Sequence, residues 1–154
     1  MDIQTNLIAL KHQIANSTLA VKRDPATIVL VLVSKTRSAE NIKVALEAGQ
    51  RDFAENYLQE ALEKIEILKG NDIVWHFIGS IQNNKTKAIA ENFDWVHSLD
   101  QIKTIERLAA QRPLRLAPLN LCIQVNIDNE ANKGGVQPEA AMDLAQTGQG
   151  NVVT

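Results

Sequence analysis

The chain has a single cysteine, Cys122, so no internal disulfide can form, and a reducing, cytoplasmic setting is the expectation. It has no long hydrophobic run. The longest purely aliphatic stretch, Ile28 to Val33, is six residues, far short of the roughly 18 that span a bilayer. The opening Met1-Asp2-Ile3-Gln4-Thr5 is polar and does not read as a secretory leader. Neither charge dominates: 16 basic against 18 acidic residues leave a net charge of -2. That balance argues against a disordered tail and against a general nucleic-acid binder, which needs a basic surface. Of the three histidines, His12, His76 and His97, no two stand at i, i+4, and none has a cysteine nearby, so no metal site is expected. Apolar residues make up 45% of the 154 positions, and a chain of this length buries roughly 70% of its unfolded surface, so one core over residues 1–154 is expected.

What is present is a repeat. Ile3, Leu7, Leu10, Ile14 and Val21 recur at mostly helical spacing, predicting an N-terminal helix within residues 1–23 that Asp24-Pro25 stops. Ile28 to Val33 then reads as a strand covered on both faces, as in a parallel sheet. Ser38 caps a helix carrying Ile42, Ala45 and Leu46, and Gly49 closes it. Further strands are expected at 51–55, 73–78, 94–97 and 119–127. Helices follow at 57–68 (ended by Gly70), at 83–91, through Ile102, Ile105 and Leu108 (with Ser98 and Gln101 as a capping box), and at 138–145. The strand starts recur every 20–25 residues or so, which suits one strand plus one crossover helix.

Two α/β architectures fit: an open doubly wound sheet, or part of a (β/α)8 TIM barrel reaching about five β/α units. The fifth strand favours the barrel. Leu119, Leu121, Ile123, Val125 and Ile127 alternate with Asn120, Cys122, Gln124 and Asn126, so the apolar set can meet a ring of helices while the polar set faces a lumen. An edge strand with one wet face gives the same alternation.

Carboxyl ends of strands carry the sites in such folds, which singles out several residues. Lys35 directly follows the first strand. Held among apolar neighbours, its ammonium would be disfavoured and its amine free to attack a carbonyl; an ordinary solvated loop lysine is the alternative. Asn56 ends the second strand, either to cap the next helix or to touch a ligand. Gly79-Ser80-Ile81-Gln82-Asn83-Asn84-Lys85-Thr86 nearly matches the phosphate loop G-x-x-x-x-G-K-[ST]. Asn84 replaces its second glycine, however, and no strand ending in a convincing metal-binding Asp follows, so a nucleoside triphosphatase is disfavoured. Lys85 then reads as a helix-start charge or an electrostatic contributor at the rim. His76, within the third strand, either stacks on a planar ligand in the lumen or is a hydrogen-bonded core histidine. Cys122 reads as an inert, buried strand residue. Lys133, in the Asn132-Lys133-Gly134-Gly135 turn, reads as a loop charge or added positive charge near the rim.

Taken together, Val33-Ser34-Lys35-Thr36, Phe53-Ala54-Glu55-Asn56-Tyr57, Trp75-His76-Phe77-Ile78-Gly79, Gln82-Asn83-Asn84-Lys85 and Gln124-Val125-Asn126-Ile127 resemble the pyridoxal phosphate homeostasis protein family, the YggS/PROSC-like group. The resemblance runs in register from the leader helix to about Ala145. It implies a barrel related to the N-terminal domain of alanine racemase. It implies pyridoxal 5'-phosphate held as a Schiff base on Lys35, with Asn56 and His76 beside the cofactor ring. It implies a cytosolic, often monomeric and non-catalytic carrier that buffers the cofactor and delivers it, with apo-enzymes as partners, and neither a nucleic acid nor a membrane. A fold-type III enzyme of the racemase kind and an inactive fragment are the alternatives. The family's later strands, with a Ser/Gly-rich phosphate cradle and an arginine, are not matched, and residues 146–154 read as a tail outside the family pattern. The expectation is therefore weak retention of the cofactor and a tendency to self-associate through two unpaired sheet edges.

Overall fold

The computed structural model describes residues 2–149. Among them, strands and helices alternate: α1 (Ile3–Ala20), a 3-10 turn (Pro25–Thr27), β1 (Leu32–Val33), α2 (Ala39–Glu47), β2 (Asp52–Glu55), α3 (Leu58–Ile67), β3 (Val74–Phe77), α4 (Thr86–Asn92), β4 (Trp95–Leu99), α5 (Ile102–Gln111), β5 (Asn120–Ile123) and α6 (Pro138–Gln149). All neighbouring strands are parallel, and their order in the sheet is β1-β2-β3-β4-β5. A doubly wound sheet reverses its strand order at a switch point. This sheet never reverses, and right-handed crossovers in a constant direction put every connecting helix on the same side. The order therefore selects the partial barrel over the open sheet.

The register assigns the two faces. Leu32 pairs with Phe53, Phe53 with Trp75, and Phe77 with Val96, which pairs in turn with Leu121; this set faces the helices. Phe53, Phe77, Val96 and Leu99 are almost fully buried there with Ile42, Leu68, Ile89, Phe93 and Leu108 from the helical layer. Phe77 meets Phe93 edge to face at 5.2 Å between ring centroids. On the other face Val33, Ala54, His76, Trp95 and Asn120 form one row across the five strands. The alternation read in the fifth strand is this division between helix side and lumen.

The first strand departs from expectation. Only Leu32 and Val33 of the six-residue run join the ladder, and Val29 and Val33 are exposed. Among the described residues the run lies at a sheet edge, with a strand on one side only and Val29 and Val33 uncovered. Gln50, itself buried, donates its amide to the carbonyls of Leu30 (2.6 Å) and Asp52 (2.9 Å), tying the irregular part of the run to β2. The fifth strand is also shorter than expected. Beyond Ile123, among the described residues, only the isolated bridge between Val125 and Val136 adds further pairing.

Helix ends mostly follow the sequence. Ser38 accepts from the Asn41 amide, and Gly49 and Gly70 follow α2 and α3 with φ of +78° and +87°. The capping box at Ser98 does not form. Ser98 lies within β4 and gives its hydroxyl to the Gly79 carbonyl, while α5 starts after Gln101 without a side-chain cap. The last helix runs on to Gln149; of the expected tail, residues 150–154 lie outside the described residues. Among the described residues, no helix is long and apolar enough to cross a membrane.

Candidate functional site

The carboxyl ends of β1, β2 and β3 meet at one rim. The parallel ladder continues past the strands through Ser34 N–H to Ala54 O (2.9 Å) and Ile78 N–H to Glu55 O (2.9 Å). Lys35, Asn56 and Gly79 are the next residues on the three chains. Lys35 is exposed, and its ammonium makes no hydrogen bond or ion pair among the described residues. The apolar enclosure expected around it is not found among the described residues, where β1 pairs only with β2. Asn56 does not cap α3, whose N-cap is Tyr57 without a side-chain bond. Its Oδ1 is buried and has no hydrogen-bond partner. A buried acceptor left unmatched costs about 1–3 kcal/mol, and Asn56 Oδ1 is an acceptor that no donor among the described residues satisfies. The Asn56 backbone lies directly against Gly79: a Cβ at Gly79 would stand 2.2 Å from the Asn56 carbonyl oxygen.

A network not visible in the sequence grips the chain on both sides of Lys35. Lys64, from α3, is 6% exposed and donates to Ser34 O (2.8 Å), Glu55 Oε1 (2.7 Å) and Glu60 Oε1 (2.6 Å). Ser34 Oγ donates to Glu55 Oε1 (2.7 Å), and Thr36 N–H donates to Glu60 Oε1 (2.7 Å). The Lys64 contact and the Thr36 amide hold Glu60 below the ordinary glutamate value of 4.5, against a partial burial that pushes the other way. Thr36 has φ of +61°, a left-handed conformation that a β-branched residue adopts at a cost of about 1–3 kcal/mol. The only sequence signal was the i, i+4 spacing of Glu60 and Lys64, which usually marks a surface pair.

Below the rim, His76 is buried and both of its ring nitrogens are taken. Nδ1 lies 2.9 Å from His97 Nε2, and Nε2 lies 3.1 Å from Asp52 Oδ1. With both rings neutral, His97 Nε2–H donates to His76 Nδ1 and His76 Nε2–H donates to the Asp52 carboxylate. The His76 ring stacks on Trp95 at 5.8 Å with 10° between planes. Of the two readings, the hydrogen-bonded core histidine is the one the contacts describe; the ring does lie on the lumen face. Burial first, and then the nearby His76, hold His97 below the ordinary value of 6.5.

The other candidates scatter. Thr86 spends its hydroxyl on the Asn83 carbonyl (3.1 Å), and Lys85 is exposed, so the 79–86 segment is a turn into α4 and not a phosphate loop. Lys133 is exposed and pairs with Glu130 (2.8 Å) in the loop after β5. Cys122 is only half-buried, less than expected, and this partial burial pushes its thiol pKa up. A cleft of about 450 Å³ lies at the opposite end of the strands beside Lys11, Gln50 and Asp52, away from Lys35.

A parallel β/α half-barrel with a lysine at the end of its first strand defines a class, and comparison with known proteins gives the same one. Residues 5–152 match the family model described as alanine racemase, N-terminal domain, and the chain belongs to that family. Among curated proteins it is similar to the pyridoxal phosphate homeostasis protein of Pseudomonas aeruginosa, 50% identical over 144 residues covering 94% of this chain. The chain spans 63% of that relative's length. Among solved structures it is similar to a protein from Bifidobacterium adolescentis (TM-score 0.84, 26% identity, 95% of this chain and 63% of that one). It is also similar to PipY of Synechococcus elongatus PCC7942 with pyridoxal phosphate bound (TM-score 0.68, 35% identity, 86% of this chain and 63% of that one). The family resemblance read from the motifs and the barrel-type fold are thus borne out.

Proposed function

We propose that the chain forms one cofactor-binding unit that holds pyridoxal 5'-phosphate, with Lys35 as the covalent anchor. The observation that carries this reading is the placement of Lys35. Among the described residues its amine is unpaired at the carboxyl end of β1, on a segment gripped from both sides, beside a neighbouring strand end whose Asn56 Oδ1 has no partner among them. The residues fit the group: an amine for its aldehyde carbon and a buried acceptor for a polar hydrogen. When bound, the cofactor supplies an electrophilic carbonyl and an electron-withdrawing ring. His76, with both nitrogens engaged, acts through the floor of the lumen by fixing Trp95 and His97. The relatives' name and the cofactor-bound PipY support the same reading. Titration with pyridoxal phosphate is expected to give a visible absorbance band that Lys35→Ala abolishes; a band that survives the substitution contradicts the assignment.

The role we infer is storage and delivery of the cofactor to apo-enzymes in the cytoplasm, not catalysis. Racemase chemistry needs a second acid/base on the opposite face of the cofactor. The one tyrosine, Tyr57, is 56% exposed at the N-cap of α3, on an outer helix. Exchange of the α-proton of amino acids at enzymatic rates would overturn the non-catalytic role. Failure of the loaded chain to reactivate an apo-enzyme faster than free cofactor does would overturn delivery.

A further inference from the structure

Lys35 is flanked by Ser34 and Thr36, and both are held from the helical side of the sheet. We infer that Glu60 and Lys64 of α3 are positioning residues for Lys35, forming with Glu55 a clamp that fixes the backbone on either side of it and so aims its amine. This rests on Lys35 being the cofactor anchor.

The connections form a bridge over one residue. Thr36 N–H donates to Glu60 Oε1 at 2.7 Å, Glu60 Oε1 meets Lys64 Nζ at 2.6 Å, and Lys64 Nζ donates to Ser34 O at 2.8 Å. Ser34 is pinned a second time through its hydroxyl on Glu55 Oε1, which Lys64 also holds. Lys35 itself takes no part. Among the described residues β1 cannot supply this rigidity alone, because it is two residues long and pairs only with β2. An ion pair as buried as Glu55 with Lys64 is weak evidence for stability, since apolar residues of similar size often serve a core as well or better. Its position explains it better. Two of the bonds end on the backbone of the residues flanking the anchor, and they hold Thr36 in a conformation that a free chain would leave.

The test uses the full chain carrying Glu60→Ala or Glu60→Gln, with folding followed by circular dichroism in the same samples. Two quantities are read: hydrogen exchange of the 34–37 amides without cofactor, and the rate of borohydride-trappable tether formation on Lys35 at saturating pyridoxal phosphate. Glu60→Ala is expected to keep the fold, lose protection at Thr36 and slow tethering about tenfold, as loss of orientation does. Glu60→Gln keeps an oxygen acceptor for the Thr36 amide and is expected to recover most of both. Unchanged protection and rate in Glu60→Ala overturn the clamp. So does a slowing that only tracks the unfolded fraction, or one equal in the alanine and glutamine variants. If the unsubstituted chain forms no tether on Lys35, the cofactor reading fails and the positioning role with it, while exchange at Thr36 still shows whether Glu60 grips the segment.

Discussion

Gly79→Ala probes the contact that builds the rim. The added Cβ would stand 2.2 Å from the Asn56 carbonyl oxygen, 2.9 Å from its carbonyl carbon and 3.0 Å from its Cα. All three are backbone atoms, so no side-chain rotation relieves the clash, and the oxygen must move from 2.2 Å to beyond 3.0 Å. If Asn56 retreats, the end of β2 shifts against Lys35. If Gly79 retreats, it abandons the Ser98 hydroxyl that bonds its carbonyl, at a cost of about 1 kcal/mol. Overpacking of this kind costs about 1–3 kcal/mol, so a loss near 2 kcal/mol is expected. Urea unfolding measures it. With a slope of about 1–3 kcal/mol per molar, the midpoint should fall by about 1 M at unchanged slope. Cofactor binding by the folded variant should weaken as well. A midpoint within about 0.2 M of the parent, with unaltered binding, would refute the argument that Asn56 and Gly79 define one packed corner.

Three further outcomes are expected. Lys64→Met leaves the fully buried Glu55 carboxylate unpaired and should cost about 3–5 kcal/mol by urea unfolding; adding Glu55→Gln should recover much of that loss, and no recovery would show that the charge was not its cause. His97 is held below its ordinary 6.5, so the unfolded chain binds protons that the folded chain refuses. Stability should therefore fall as pH drops below about 6.5 and level off below the folded value, and His97→Gln should flatten this part of the urea-midpoint profile. Among the described residues β1 and β5 each present an unpaired side, flanked by apolar grooves of about 350 and 330 Å³, so the chain should self-associate as concentration rises; sedimentation velocity showing a monomer at every concentration would contradict this.

The repeat of strand and helix was legible because each helix carries its apolar stripe and each buried strand its apolar core, as at Ile42 and Ala45 in α2 or Phe53 in β2. The helix ends at Ser38, Gly49 and Gly70 were legible because their chemistry is local. The length of β1 was not. Apolar content measures the wish to be buried, whereas a strand needs a partner ladder, and an edge offers one only on one side. Ser98 looked like a cap because its spacing to Gln101 fits one, yet a tertiary partner, the Gly79 carbonyl, took its hydroxyl. At the candidate site, the positions of Lys35 and Asn56 just after strands were readable. The Glu55–Lys64–Glu60 clamp was not, because nothing in the spacing of a helical Glu–Lys pair says whether it faces water or the back of a sheet.

The most direct measurement is borohydride reduction of the chain mixed with pyridoxal 5'-phosphate, followed by peptide mass mapping. A single phosphopyridoxyl label on the peptide carrying Lys35 is the expected result. No label in a folded sample, or a label spread over the chain's other lysines, would contradict the claim that this residue anchors the cofactor.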